Sequence, residues 1–346
     1  MMLTTTPFRS GSLDSKNSMR LTLRSRVVVT VFAFCVVLVG TPGNAVEGRS
    51  WVEIITDWFD DEDVGATPRL LFRATENLIA EIRILREELG VDDFQAQAGT
   101  EEYRTPVHVY AKTLEVMSKV SRVQRRLGID AVEVGHVPIK NVGPRDVLDN
   151  LAAILAELRK IKARWVIERS IDAAPFVGGI TPSTPSMIYK NLAHASFLLD
   201  GLVGRPLAPN DVYVNARCLL DELALIAARL GAPFTLDVPS VEGRKSLEDV
   251  AQVVRRASYE MVNLQTRLGM DVSNVPNPTL VRSDPSEVYD ATNMLLAEMG
   301  RIKHHLNIHA THPVRPEPHD KVPTDVFAQI LLVIENLNTI SRSANS

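Results

Sequence analysis

Five of the chain's eight histidines fall within sixteen residues: His304, His305, His309, His312 and His319. Imidazole nitrogens bind zinc, copper and nickel, so this stretch is the first place where metal chemistry is conceivable. A transition metal held there would use His305, His309 and His312. The spacing matches no strong metal signature. The competing expectation is that His304 and His305 are cations at a helix C-terminus, where the macrodipole favours positive charge, and no cofactor other than such a metal is expected.

Two further columns recur along the chain. Arg126, Arg164, Arg229 and Arg267, with His305 in the equivalent place, stand near the ends of successive segments. They read either as an anion-binding rim or as compensation for helix C-termini, each worth about 0.3–1 kcal/mol. The aromatics Phe72, Tyr110, Tyr189, Tyr213, Tyr289 and Phe327 sit near the starts. They line a ligand cleft or, as the expected reading, repeat one packing role, in which case each buried phenol needs a polar neighbour. Met117, Met261, Met294 and Met299 read as gap-fillers, and Cys218 as a small buried apolar residue. Carboxylates are expected on helix surfaces, so no acid–base pair is nominated. Phosphate-cradling glycine loops, paired zinc cysteines, CxxCH, HExxH and GxSxG are all absent from the sequence. An enzyme is therefore not expected.

The elements that position these residues are set by a repeat. Aliphatics recur at Leu71, Val109, Val147, Ile188, Val212, Val250, Val288 and Val326, with spacings of 38, 38, 41, 24, 38, 38 and 38 residues. From each of them mostly apolar positions follow at four, seven, eleven, fourteen and eighteen residues, as in Val147, Leu151, Ile154, Leu158, Ile161 and Trp165, or Val288, Thr292, Leu295, Met299, Ile302 and Leu306. Steps of four and three align on one face of a helix and scatter over both faces of a strand. Prolines mark the starts, with Thr67, Thr105, Thr184 and Asp284 before them as caps, and Gly90, Gly128, Gly231 and Gly269 mark the ends. The fold class is all-α, with eight long helices in a ~38-residue repeat. They are expected as two consecutive four-helix bundles, the alternative being one continuous helical array. Linkers of about 15 residues span up to roughly 50 Å and allow parallel or antiparallel neighbours. The short link Val203–Ala208 favours an antiparallel hairpin.

The N-terminus differs. Arg20, Arg24 and Arg26 precede the uncharged run Val27–Gly40, too short to cross a bilayer as a helix. Small residues up to Ala45 suit a signal-peptidase cut. Residues 1–45 are therefore expected to be a signal peptide, and 46–64 a short amphipathic acidic segment carrying Trp51, Ile54, Ile55, Trp58 and Phe59. Residues 65–204 and 205–346 follow as two four-helix sets. The leader holds five basic residues and one acidic, so the remainder carries 33 basic against 41 acidic, net −8. That balance argues against nucleic acid as a partner. Cys218 alone remains after the leader, which excludes an intrachain disulfide. The expected function is an exported interaction or scaffold protein, periplasmic or secreted, without a membrane span after cleavage and with an envelope or extracellular protein as partner. The alternative is a periplasmic ligand- or metal-binding bundle.

Overall fold

A computed structural model describes residues 68–91, 104–169, 184–204, 207–272, 285–311 and 318–344. These all lie in one compact unit, Gly48–Ser346. The signal-like leader, the segment 46–64, the caps Thr67 and Asp284, the linker Ser273–Thr279 and His312 lie outside the described residues. Among those described there are eight α-helices and no strand: α1 (Pro68–Glu88), α2 (Pro106–Arg126), α3 (Pro144–Arg164), α4 (Pro185–Val203), α5 (Pro209–Leu230), α6 (Leu247–Arg267), α7 (Pro285–His305) and α8 (Pro323–Ser343). Seven start on a proline, whose missing N–H would have had no intrahelical partner. Gly90, Gly128, Gly231 and Gly269 all have left-handed backbones after their helices, as a C-terminal stop requires.

All eight repeat aliphatics are buried, and so are Leu151, Ile154, Leu158, Ile161, Leu295, Met299 and Ile302 behind them. Each fully buried aliphatic side chain contributes roughly 1.5–3 kcal/mol, so the seam is the main support of the fold. Two residues depart from expectation. Trp165 is 49% exposed, because it follows the last turn of α3 and projects past its neighbours. Cys218 is only partly buried.

The buried apolar side chains form two large clusters, one within α1–α4 and one within α5–α8. In the first, α1 packs on α3 and α4, and α2 packs on the same two, giving the ring order α1–α3–α2–α4. In the second, α5 and α6 likewise each pack on α7 and α8. These are two four-helix bundles of one topology.

Side-chain contacts show that every neighbouring pair within a bundle is parallel. Near the starts, Asn191 Nδ2 of α4 donates to Thr75 Oγ1 of α1 at 3.0 Å, and Asn150 Nδ2 of α3 donates to Thr113 Oγ1 of α2 at 2.9 Å. Near the ends, Lys162 of α3 meets Glu81 of α1 at 2.7 Å. The second bundle repeats this with Asn215 to Thr292 at 3.0 Å and Lys303 to Glu222 at 2.5 Å. Parallel order requires each linker to run back the length of a 21-residue helix, about 31 Å. Segment 231–246 does so as irregular chain, held early in its course by Thr235 N–H donating to Asn336 Oδ1 and Asn336 Nδ2 donating to Thr235 O, both 3.0 Å.

Parallel packing also gathers four helix C-termini, and their partial negative charges, at one end. The basic column answers this. Arg126 donates to Leu202 O at 2.8 Å, Arg229 to Leu306 O at 3.2 Å and His305 Nε2 to Leu268 O at 3.0 Å, each reaching the end of a neighbouring helix. Arg86 donates to Leu198 O at 2.6 Å in the same way. Gly201 and Gly204 give these guanidiniums room: a Cβ there would stand 2.3 Å from Arg86 Nη1 and 2.2 Å from Arg126 Nη1.

The bundles run in opposite directions. α2 contacts α7, with His108 near the start of α2 facing Glu298 late in α7, and Arg122 near the end of α2 facing Asp211 at the start of α5. The reversal expected at the 203–208 link is thus a reversal of the whole bundle, carried by α2 on α7.

Candidate functional site

The α2–α7 contact encloses the densest set of buried ionisable groups among the described residues. It draws on one stripe of α2, His108, Lys112, Glu115, Lys119 and Arg122, spaced by four, three, four and three residues. Those are the intervals of the apolar seam, displaced to the adjacent face. His108, Lys112, Glu115 and Lys119 are all buried. The expectation that carboxylates lie on helix surfaces therefore fails for Glu115, Glu157, Asp211 and Glu298. A stripe of alternating charge at helical spacing was the available signal.

His108 occupies the third helical position of α2. In α3, α5, α6 and α8 that position is Asp146, Asp211, Asp249 or Asp325, whose carboxylate accepts the N–H of the preceding cap residue at 2.7–3.0 Å. In α2 the acceptor is His108 Nδ1, taking the Thr105 N–H at 3.1 Å. That bond fixes Nδ1 as unprotonated, so Nε2 carries the hydrogen and donates to Glu298 Oε1 at 2.7 Å. Glu298 Oε2 also accepts from Gln265 of α6 at 2.5 Å and Arg301 at 2.7 Å. Burial pushes the His108 pKa below its ordinary value, against the pull of Glu298. Glu298 is held below the usual carboxylate range: burial pushes it up, but its bonds with His108, Arg301 and Gln265 outweigh that.

One turn on, Lys112 Nζ donates to Glu115 at 2.9 and 3.0 Å and also to Asp290 of α7. Glu115 accepts from Ser196 Oγ of α4 at 2.5 Å and Asn293 Nδ2 of α7 at 3.2 Å. Lys119 reaches Asp200 of α4 at 2.7 Å and the Ser196 carbonyl at 3.2 Å. The phenol ring of Tyr189 lies 4.7 Å from the Arg104 guanidinium and 5.6 Å from Lys112 Nζ. Three carboxylates thus surround two ammoniums. Burial and the adjacent Glu115 push Asp290 up to about 7, and burial also raises Asp200. Glu115 resists burial because Lys112 and Lys119 flank it, and lies well below the carboxylate range. Burial raises both Tyr189 and Tyr289. These groups satisfy one another across the bundle interface, and the arrangement acts as a lock of fixed register.

The sequence-predicted metal residues are not brought together in this way. His305 spends its Nε2 on the Leu268 carbonyl, His309 is exposed, and His312 lies outside the described residues. Among the described residues no group of three or more histidine, cysteine or acidic side chains is placed to hold a metal. The aromatic column is divided: Tyr189 is buried in the lock, while Phe72, Tyr110, Tyr213, Tyr289 and Phe327 pack partly buried against the two cores. No helix among the described residues is long and apolar enough to cross a membrane.

No family model matches the chain, and no curated protein and no solved structure is significantly similar to it. The informative comparison is internal. Glu81, Gln124, Glu157 and Lys162 of the first bundle recur 141 residues on as Glu222, Gln265, Glu298 and Lys303, with the same pairings.

Proposed function

We propose that the protein is an exported, non-enzymatic helical-repeat scaffold, periplasmic or secreted, that binds another envelope or extracellular protein. The observation that carries this reading is the exposed corner after α3. Five helices are followed by a left-handed glycine and α7 by Asn307, but α3 is followed by Val166 at φ 55°. A β-branched residue there is strained, and Val166 is 79% exposed beside the half-exposed Trp165. Strain retained without burial points to a contact outside the chain. Lys160 and Arg169, exposed nearby in sequence, are paired with this chain's own Glu157 and Glu87 at 2.7 and 2.5 Å, so the partner surface would supply an apolar pocket for Trp165 and Val166. The rigid pair of bundles would hold this corner in a fixed place.

A photo-cross-linking residue at Trp165, introduced into the full chain in its native cells, should trap one envelope protein. Sequencing of the mature N-terminus should begin at Val46. Background cross-links alone, or a retained leader in the cytoplasm, would reject the proposal. Val166→Gly is expected to raise stability by about 1 kcal/mol by relieving the left-handed strain, measured by urea unfolding, while weakening the cross-link.

A further inference from the structure

The repeated pairings form a ladder near the helix ends. In each rung the nineteenth residue of one helix pairs with the fourteenth of its parallel neighbour. Lys162 meets Glu81 at 2.7 Å, Gln124 meets Glu157 at 2.8 Å, Gln265 meets Glu298 at 2.5 Å and Lys303 meets Glu222 at 2.5 Å. Arg86 makes the corresponding bond to the carbonyl of Leu198. Between α8 and α6 the same positions hold Ser341 and Glu260. The carboxylate is in place, but the donor is too short to reach it.

The missing rung leaves an open cleft of about 330 Å³ lined by Glu260, Asn263, Arg267, Asn338, Ser341 and Arg342. Ser341 is only 5% exposed, and its Oγ has no hydrogen-bond partner. A buried hydroxyl left unsatisfied costs stability, and here it borders the cleft. Glu260 accepts only a neutral amide, Asn263 Nδ2 at 3.1 Å. The first bundle shows what fits in such a groove. Between α2 and α4 the place of Glu260 is taken by Lys119, whose ammonium lies across the groove on Asp200 and the Ser196 carbonyl. One groove carries its own ammonium, and its counterpart carries a carboxylate without one.

We propose that the α6–α8 cleft binds a short zwitterionic peptide, with its terminal ammonium on Glu260, its carboxylate on Arg267 and a polar group between them on the unsatisfied Ser341 Oγ. Glu260 and Arg267 are seven residues apart on one helix, an axial separation of about 10.5 Å. An extended tripeptide covers about 10 Å. Asn263 and Asn338 supply amide groups between the two ends, matching a peptide backbone more closely than a simple amino acid.

Calorimetric titration of the full chain with trialanine tests the site. Saturable binding is expected, weakened by about tenfold or more in Glu260→Gln and on N-acetylation of the peptide. C-terminal amidation should weaken it through Arg267. Ser341→Lys should complete the rung as Lys303 does with Glu222, raising the melting temperature and abolishing binding. Absence of heat at about 10 mM peptide, with the higher melting temperature of Ser341→Lys still observed, overturns the proposal. Equal affinity for free and N-acetylated peptide also overturns it.

Discussion

His108 does at α2 what an aspartate does at four other helix starts, and it also joins the two bundles. The imidazole can hold both bonds only while neutral, since Nδ1 must accept from Thr105 and Nε2 must donate to Glu298. Its pKa is lowered by burial, so the folded chain resists a proton that the unfolded chain takes up near pH 6.5. The stability it contributes is therefore complete above that pH and is lost as pH falls toward the folded value. The two roles can be separated by substitution. His108→Asp keeps a capping carboxylate, as at Asp146, but sets it against Glu298. We expect a loss of about 1.5–3 kcal/mol at pH 7.5 in urea unfolding, and a smaller loss where carboxylates protonate. Wild-type stability in that variant would show that the bond to Glu298 contributes nothing.

At the scale of the helices, the ladder of long polar donors and carboxylates raises the question of what buried pairs contribute. Taking Lys303 and Glu222 out of water costs most of what their attraction returns, so the pair need not stabilise relative to apolar side chains. Lys303→Met alone takes the ammonium away from the partly buried Glu222 and should cost about 3 kcal/mol. The double change Lys303→Met with Glu222→Leu should return to within about 1 kcal/mol of wild type, measured by urea midpoints. A double variant as unstable as the single one would mean the pair adds net stability. The helices themselves were legible because Val147, Leu151, Ile154, Leu158 and Ile161 keep a 3.6-residue period and proline and glycine mark both ends. Helix direction was not legible, since linkers of about 15 residues reach far enough for either order. The polar stripe of α2 escaped because charges at seam-like spacing read as a solvated face until a second bundle covers them. Trp165 obeyed the period and still lies outside, because periodicity does not report where the neighbouring helices stop.

At the scale of the molecule, the lock between α2 and α7 is made once although the bundles are near copies. The counterparts of His108 and Lys112 on α6 are Asp249 and Val253, and the counterparts of Glu298 and Asp290 on α3 are Glu157 and Asp149. A second chain docking α6 against α3 would bring Asp249 toward Glu157 and an aliphatic toward Asp149, so the internal interface does not propagate. Within the lock, the excess of carboxylate over ammonium makes the interface sensitive to one proton. Asp290 titrates near 7 in the folded chain and near 3.9 when unfolded. The folded state therefore holds a proton that the unfolded chain has released, and this group's contribution falls as pH rises from about 4 to about 7. Glu115 and Glu298 act in the opposite sense, giving stability above about pH 4.5 that is lost in acid. Asp290→Asn keeps the uncharged form at every pH. Its stability should match wild type at about pH 4 and exceed it at pH 8 by about 1 kcal/mol or more, the other titrations cancelling in the difference. A difference that stays constant between the two pH values would mean that Asp290 is charged throughout and that Lys112 outweighs Glu115 at the interface.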